Sequence, residues 1–291
     1  MTDIAESRQT LRIAVPKGRT EQGVRQLLAD ARIDLRSGPR GYRPVASVPW
    51  LETKVLKPQN IVEMLAAGTR DIGFAGADWV AEKNAELIPL LDTGLDPVTV
   101  VAAAPRELLT DGALPKQQLT VATEMVRLTE RWIEQEGLDA VVIRSYGATE
   151  VFPPEDADMV VDISATGETL SANGLIVVGT VMKSTTQLYA SREAIDDPSR
   201  KVAIDRLVVS LRAVLEARSR VMVELNIDAD GAEGLFEVLP SMRTPTVATL
   251  HGGGFSVKAA VSRVSLPDLI PTLKSVGATD IVVSRLEQIV P

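Results

Sequence analysis

The sequence predicts an α/β protein in which two α/β lobes are followed by a ferredoxin-like unit. Short apolar runs alternate with helix-like patterns up to about residue 218, which indicates a parallel or mixed sheet. The polar stretch 105–118 carries the turn residues Asp111, Gly112 and Pro115, and it predicts a crossing between two lobes. Beyond Ser219 the order is strand, helix, strand, strand, helix, strand, which is typical of a ferredoxin-like unit.

The first lobe is predicted from apolar runs that alternate with capped helices. The run Leu11–Val15 indicates a buried strand, and the turn Pro16–Arg19 leads into a helix that Thr20 is expected to cap. Two further helices are predicted over 58–67 and from about Asp78, with a buried strand over 71–75 between them.

The second lobe and the tail follow from the same periodicities. The second lobe is predicted to contain strands over 119–122, 140–143 and 158–162, with helices over 128–136 and from Leu170. The chain then returns to the first lobe at 183–191 and continues in a helix over 200–218. The tail is predicted to contain strands over 221–225, 246–250, 255–261 and 281–284, with helices over 231–239 and 266–276. We therefore expect three domains: 1–107 with 183–218, 108–182, and 219–291.

Composition excludes several classes of function. The 291 residues carry a formal net charge of -8, which argues against nucleic acid or an anionic membrane as the main partner. The chain has no cysteine and one histidine, which excludes disulfides, thiol nucleophiles and multi-histidine metal sites. Residues 1–10 lack the apolar core of a signal peptide and no stretch of 18 apolar residues occurs, so we expect a cytoplasmic protein.

The most informative segment is DMVVDISATGETLSANGL, residues 158–175. An apolar strand pattern between Asp158 and Asp162 leads into a loop rich in Thr and Gly, after which a helix pattern begins. Backbone N–H groups at such a loop can face a phosphate, hydroxyl side chains can donate to it, and glycine permits a close approach. The loop is predicted to bind a sugar phosphate through Ala165, Thr166, Gly167, Glu168, Thr169 and Leu170, unless it is an ordinary helix cap.

Other polar residues follow predicted strands and are candidate ligand contacts. Lys17, Gly18 and Arg19 follow the first strand, where two cations suit a polyphosphate. Glu124 and Glu150 each follow a strand of the second lobe and are candidates for ribose contacts. Asp78 begins a helix, for which a simple N-cap is the alternative. His251–Gly254 is predicted to be a hairpin loop, because no acid or nucleophile motif accompanies the histidine.

With these motifs assembled, the chain resembles the long form of the ATP phosphoribosyltransferase family. The resemblance covers residues 11–291 and is strongest over 150–175, where Asp-x-x-x-Asp precedes Thr-Gly-x-Thr-Leu and Ala-Asn-Gly-Leu. LRIAVPKGR, DIGFAGADWV, VATE and LPSMRTPTVATL match other family segments. The sequence departs from the family at residues 57–60, which read Lys-Pro-Gln-Asn where Arg-Pro-Lys-Asp is common.

The resemblance implies a reaction and a fold. It implies transfer of phosphoribosyl from phosphoribosyl pyrophosphate to N1 of ATP, with Mg²⁺ carried by the diphosphate rather than by direct protein ligands. The two lobes would resemble a periplasmic-binding-protein fold with the active site in the cleft. The tail would bind histidine as an inhibitor, near Asn226, Met242 and Thr246, and the assembly would be a hexamer, with a dimer–hexamer equilibrium.

The loop motif and the resemblance together assign parts of the substrates to individual residues. Asp162, with help from Asp158, is expected at the ribose hydroxyls, and Lys17, Arg19 and Lys57 at diphosphate or triphosphate. Gly18, Asp78, Glu124 and Glu150 are expected contacts of the nucleotide or ribose. Three alternatives remain open: a two-lobed binding protein without catalysis, a regulatory protein acting through its tail, and a transferase that uses another base.

Overall fold

The computed structural model describes residues 10–37 and 41–290. Within that part the chain divides into two compact units. The first contains the residues up to Gln26 together with Ile33–Asp205, and the second contains Leu27–Arg32 together with the residues from Arg206 onward. None of the helices in the described part is long and apolar enough to cross a membrane.

The first unit is built on a mixed sheet, as the sequence predicts. Its strands are β1 (Leu11–Pro16), β2 (Leu35–Arg36), β3 (Val45–Ala46), β4 (Leu51–Leu56), β5 (Ile72–Gly76), β6 (Ile88–Pro105), β7 (Leu119–Thr123), β8 (Ala140–Arg144), β9 (Met159–Ser164) and β10 (Leu175–Ala190). Their order across the sheet is β2-β3-β4-β1-β5-β10-β6-β9-β7-β8. The strands β1, β4 and β5 run parallel to one another, as do β7, β8 and β9.

Two long antiparallel strands, β6 and β10, join the two parallel halves of this sheet. β10 pairs with β5 on one side, and β6 pairs with β9 on the other. The periplasmic-binding-protein fold likewise consists of two α/β halves that a pair of crossing strands links. The predicted fold class is therefore confirmed.

The helices up to residue 219 lie mostly where the apolar periodicity predicts them, and the short helix Arg192–Asp196 is the exception. They are α1 (Arg19–Asp30), α2 (Pro58–Ala66), α3 (Ala77–Lys83), α4 (Val126–Glu136), α5 (Glu168–Ala172), α6 (Arg192–Asp196) and α7 (Pro198–Ser219). One detail is wrong: α1 begins at Arg19, so Thr20 lies in its first turn and does not precede it as a cap. The helix α4 packs Leu128, Trp132 and Ile133 into an apolar core with β7 and β9.

The sequence reasoning missed β4, β6 and the first half of β10. β6 contains Asp92, Gly94, Asp96 and Pro97, which are turn-forming residues and interrupt any strand pattern. In the structure Gly94 and Asp96 take positive φ values of 64° and 46°, and the β6–β10 register shifts beside them. The strand therefore continues through a bulged region that local propensity alone does not predict.

A buried carboxylate ties together three elements at the amino ends of the parallel strands. The side chain of Asp71 is fully buried, and its Oδ1 lies 2.6 Å from Arg12 Nη2 and 3.2 Å from Arg200 Nη1. The backbone N–H of Arg12 also donates to Asp71 Oδ2 at 2.6 Å. This ion pair raises the pKa of the Arg12 guanidinium, chiefly through the side-chain hydrogen bond. The cluster fixes β1 against the start of β5 and the start of α7.

A second buried acid connects α3 to α4. The carboxylate of Glu82 in α3 accepts the backbone N–H groups of Arg127 and Leu128, at 3.3 and 3.0 Å. These groups belong to the first turn of α4, where N–H groups lack intrahelical acceptors. Glu82 therefore caps a helix that lies in the other half of the sheet, and Arg131 of α4 donates back to the carbonyl of Ala81 at 2.8 Å.

The second unit has the predicted ferredoxin-like topology. Its elements are β11 (Arg220–Ile227), α8 (Ala232–Val238), β12 (Thr246–Thr249), β13 (Phe255–Ser262), α9 (Leu266–Ser275) and β14 (Thr279–Arg285). The sheet order is β12-β13-β11-β14, with antiparallel pairing throughout. One sheet face packs Val223 and Leu225 against Leu235 and Leu273 of the two helices.

The hairpin between β12 and β13 confirms the structural interpretation of His251–Gly254. The loop runs from Leu250 to Gly254, whose carbonyl accepts the N–H of Leu250 at 3.1 Å. A Cβ atom at Gly254 would lie 2.6 Å from the carbonyl oxygen of Ile227, and its φ is +78°. Glycine is therefore required here by the turn and by the packing of the loop.

We expect Asp71→Asn to lower the free energy of unfolding by roughly 2 kcal/mol or more, because it removes the buried carboxylate that pairs with the partly exposed guanidinium groups of Arg12 and Arg200. Urea denaturation followed by circular dichroism measures the loss. Asp205→Asn is the matched control, since it removes the partner of Lys201 in an exposed i,i+4 pair that is worth less than about 0.5 kcal/mol. Equal losses in the two variants would contradict a structural role for the Asp71 cluster.

Candidate active site

The predicted phosphate loop connects the end of β9 to α5. Gly167 precedes the helix with a φ of +81°, a conformation that glycine adopts without strain. Ala165, Thr166, Glu168 and Thr169 are exposed, while Leu170 is buried and anchors the loop in the core with Val160. The hydroxyl of Thr166 accepts the N–H of Glu168 at 3.4 Å. The loop thus exposes its hydroxyls and backbone to solvent, while Leu170 holds it against the core.

Three predicted acids converge at the carboxyl ends of β7, β8 and β9. Burial raises the pKa of Asp162 to about 6, and the negative charges of Glu150 and Glu124 contribute to the rise. One carboxylate oxygen of Asp162 accepts the N–H of Ile163 at 2.6 Å. Glu124 approaches the loop after β8 at Gly147. The structure therefore brings together acids that lie up to 38 residues apart in the sequence, from Glu124 to Asp162.

Asp158 does not join this cluster. Its carboxylate accepts the backbone N–H of Thr120 at 2.6 Å, at the amino end of β7. Asp158 precedes β9 while the phosphate loop follows it, and a six-residue strand spans about 20 Å. The predicted contact of Asp158 with the ribose is not supported by this position, because Asp158 lies at the opposite end of β9 and one of its oxygen atoms accepts the N–H of Thr120.

Two of the predicted cations lie together at the carboxyl ends of β1 and β4. The strands pair Pro16 with Leu56, and the N–H of Lys17 donates to the carbonyl of Leu56 at 2.7 Å, so Lys17 and Lys57 follow adjacent strand ends. The ammonium of Lys17 donates to the Tyr42 hydroxyl at 2.9 Å, an interaction that lowers the pKa of Tyr42. Gly18, with a φ of +98°, forms the turn between Lys17 and the start of α1.

Arg19 lies against β6, near the centre of the sheet. Its Nε is 3.5 Å from a carboxylate oxygen of Asp96, and both groups remain partly exposed. One helical turn further, Gly23 packs close to Leu95. The loop after β1 therefore reaches the bulged part of β6.

Asp78 is a structural residue in this arrangement. Its side chain is only 3% exposed, and it accepts a hydrogen bond from the Ser184 hydroxyl at 2.7 Å. The Ser184 hydroxyl in turn accepts the backbone N–H of Asp78 at 3.1 Å. Gly76, not Asp78, is the residue before α3. The predicted nucleotide contact is not supported, because the carboxylate is committed to β10.

A cleft with a volume of about 540 Å³ opens at the centre of the first unit. It is lined by Ala77, Asp92, residues 97–99 of β6, Ala165 of the phosphate loop, and residues 183–185 with Gln187 of β10. The carboxylate of Asp92 accepts the N–H of Gly94 and the hydroxyl of Thr185, at 2.9 and 2.8 Å. The cleft therefore adjoins the phosphate loop and contains both a cation and an anion.

Several of these residues were not found by reasoning from the sequence. Lys183, Asp92 and Thr99 lie inside long strands, and no local motif distinguishes them from solvated strand residues. Tyr42 and Asp96 act through contacts with the predicted cations, which only the tertiary structure shows. Within the described residues, no group of three or more acidic or histidine side chains is placed to hold a metal ion.

The three residues predicted to bind histidine share one region of the second unit. Asn226 pairs with Ser256 of β13, and Thr246 pairs with Lys258 of the same strand. The N–H of Met242 donates to the carbonyl of Ala260 at 3.0 Å. Residues 257, 259 and 261 face the helices, so Asn226 and Thr246 belong to the opposite sheet face. The side-chain amide of Asn226 donates to Asp280 at 3.0 Å.

Comparison with known proteins identifies the family. Residues 57–213 match the ATP phosphoribosyltransferase family model, and residues 217–288 match the model described as HisG, C-terminal domain. The ATP phosphoribosyltransferase of Pelotomaculum thermopropionicum is 33% identical, with 97% of this chain and 99% of the relative covered. That of Desulforudis audaxviator is 32% identical over the same shares.

A solved structure supports the same assignment. The ATP phosphoribosyl transferase (HisG:HisZ) complex from Thermotoga maritima contains a chain that matches with a TM-score of 0.63 and 25% identity, covering 71% of this chain and 99% of that one. The family models, the relatives that match nearly the whole chain and the solved structure agree with one another. This chain belongs to the ATP phosphoribosyltransferase family, in its long form with a C-terminal domain.

Proposed function

We propose that this enzyme transfers the phosphoribosyl group of phosphoribosyl pyrophosphate to N1 of the adenine ring of ATP, which is the first step of histidine biosynthesis. The adenine nitrogen forms a bond to C1 of the ribose, while the C1–oxygen bond breaks and its electron pair leaves with pyrophosphate. In this proposal residues 1–107 with 183–218 form one catalytic lobe, residues 108–182 the other, and residues 219–291 the regulatory domain.

The observation that carries the proposal is the position of Asp162 beside the phosphate loop. Asp162 lies three residues before Ala165, so a ligand phosphate at the loop places the attached ribose near this carboxylate. We assign the 5-phosphate to residues 165–170 and the ribose hydroxyls to Asp162. Carboxylates are suitable acceptors for the hydroxyl groups of a sugar.

The acidic cluster suits the charge that develops in this reaction. As the diphosphate leaves, the ribose ring gains positive charge, and preorganised negative groups stabilise that charge in a site shielded from water. Asp162, Glu124 and Glu150 supply three such groups at the carboxyl ends of β7, β8 and β9. The nucleophile is a neutral ring nitrogen, so the reaction needs no strong general base, in agreement with the absence of cysteine and the single histidine.

The cations of the other half complete the assignment. Lys17, Arg19 and Lys57 are assigned to the diphosphate or triphosphate groups, with Gly18 permitting a close approach of the backbone. Magnesium enters as part of the substrate, bound to the diphosphate, where it neutralises the leaving group. Glu124 and Glu150 also remain candidates for contacts with the nucleotide ribose.

Regulation belongs to the second unit in this proposal. Histidine is assigned to the open sheet face near Asn226, Met242 and Thr246, where it acts as a feedback inhibitor. The active assembly is proposed to be a cytoplasmic homo-oligomer, a hexamer in equilibrium with a dimer. Family membership and the ferredoxin-like topology support this assignment.

An ultraviolet assay tests the reaction directly. Purified protein is mixed with ATP, phosphoribosyl pyrophosphate and magnesium, and pyrophosphatase removes the product that would drive the reaction backward. We expect the absorbance change of an N1-substituted adenine. Substrate binding without this change would favour a binding protein or a different acceptor base.

We expect Thr169→Val to raise the KM for phosphoribosyl pyrophosphate about tenfold or more, because it removes a hydroxyl that donates to a charged phosphate. The two side chains have similar volumes and Thr169 is exposed, so the melting temperature should change little. Thr272→Val in α9 is the matched control, since Thr272 is also an exposed helical threonine. Unchanged kinetics in Thr169→Val would remove the loop from the site assignment.

Asp162→Asn should abolish most of the activity and at the same time stabilise the fold. The pKa of about 6 lies above the value for an unfolded chain, so the cost of burying the charge is present above pH 6 and is lost as the pH falls toward 4. The gain at pH 8 should be roughly 3 kcal/mol, because burial raises the pKa from its ordinary value of 3.8 to about 6.

Steady-state assays and thermal melts between pH 4 and pH 8 measure both effects of Asp162→Asn. The wild-type kcat/KM should fall as the pH drops below about 6, because the carboxylate becomes protonated. Asp139→Asn serves as control, since Asp139 is an exposed acid before β8. A variant that lost activity and stability together would indicate that Asp162 has a structural role instead.

The histidine assignment is tested with Asn226→Ala. This variant should need about tenfold more histidine for half-inhibition, because it loses side-chain hydrogen bonds to the ligand, while basal activity stays near the wild-type value. Glu237→Ala, on the helical face of the same unit, should be inhibited like the wild type. Equal inhibition of all three proteins would place the inhibitor elsewhere.

A further inference from the structure

Lys183 is an exposed lysine that lines the central cleft, and no sequence motif marks it. It lies on β10, where it pairs with Thr99 of β6, and Thr99 pairs in turn with Ser164 of β9. Lys183, Thr99 and Ala165 line the same cleft. The side chain thus lies two strands from the end of β9, at which the phosphate loop begins.

The ammonium of Lys183 is available for a ligand. Among the described residues it makes no ion pair, and its side chain makes no hydrogen bond. The acid in the cleft, Asp92, is instead engaged by the N–H of Gly94 and the hydroxyl of Thr185. By contrast, Lys17 donates to Tyr42 and Arg19 faces Asp96.

The strand registers place Lys183 on the same sheet face as Asp162. Paired residues of adjacent strands point to one face, so Lys183, Thr99 and Ser164 share it, and Asp162 lies two residues before Ser164 on the same face. Two strand spacings of about 4.8 Å and a two-residue offset separate Lys183 from Asp162 by roughly 12 Å. A phosphoribosyl group with its diphosphate fits between them.

We propose that Lys183 binds the diphosphate of phosphoribosyl pyrophosphate and holds the pyrophosphate product as it leaves. This rests on the proposed function, which places the 5-phosphate at residues 165–170 and the ribose at Asp162. With those two groups fixed, the diphosphate extends across β6 toward β10. The ammonium of Lys183 then faces negative charge that increases as the C1–oxygen bond breaks.

The test compares Lys183→Met with Lys183→Arg and with the control Lys116→Met, in the full-length protein. Calorimetry measures binding of magnesium pyrophosphate and, separately, of ribose 5-phosphate. Loss of one charge-assisted contact should weaken pyrophosphate binding about tenfold or more in Lys183→Met. Ribose 5-phosphate should bind all proteins equally, because it occupies only the loop and the position at Asp162. Lys183→Arg should bind pyrophosphate within about threefold of the wild type, since it keeps the charge.

Kinetics distinguish the failure of this inference from failure of the proposed function. In an active enzyme, Lys183→Met should raise the KM for phosphoribosyl pyrophosphate and leave the KM for ATP within about twofold. Unchanged pyrophosphate binding in Lys183→Met, or a rise confined to the KM for ATP, would overturn the assignment. If the wild type lacks transferase activity but its pyrophosphate binding depends on Lys183, the diphosphate site stands and the proposed reaction falls.

Discussion

The antiparallel pairing of β6 with β10 is the interaction on which the first unit depends. Among the described strands, β5 pairs with β10 and β9 pairs with β6, and neither parallel half pairs directly with the other. The β6–β10 ladder is therefore what joins the two halves within the described part of the sheet. The central cleft is lined by residues of the same two strands where their register is irregular. The backbone interaction that joins the halves therefore also forms the floor of the site.

The distribution of charge explains how an acidic chain can act on polyanions. The net charge of -8 predicts weak attraction for phosphates in general. The structure separates the two signs: cations follow β1 and β4, and acids follow β7, β8 and β9. A substrate whose diphosphate is negative and whose sugar becomes positive matches this separation. Local arrangement, not total charge, thus determines what the cleft can bind.

Much of the fold could be predicted from the sequence because its elements have clear periods and clean ends. The tail is the best case, since its strands and helices follow clear apolar periods, His251–Gly254 marks its hairpin, and the predicted topology is confirmed. β6 was missed because Asp92, Gly94, Asp96 and Pro97 lie within a strand that only its partners stabilise. The sequence could predict that Glu124 and Glu150 each follow a strand and that Asp162 precedes the loop. It could not predict the hydrogen bonds of Asp78 and Asp158, because their partners lie 106 and 38 residues away.

The capping of α4 by Glu82 has a consequence for the order of folding during synthesis. The acceptor lies 46 residues before Leu128, so it leaves the ribosome well ahead of the N–H groups that it will bind. Because its partners are the N–H groups of α4, the Glu82 carboxylate becomes buried only when α4 packs against α3. Chain growth from the amino end therefore supplies the acceptor before the helix that it caps, whereas the first half of the sheet is completed only after β10 has been made.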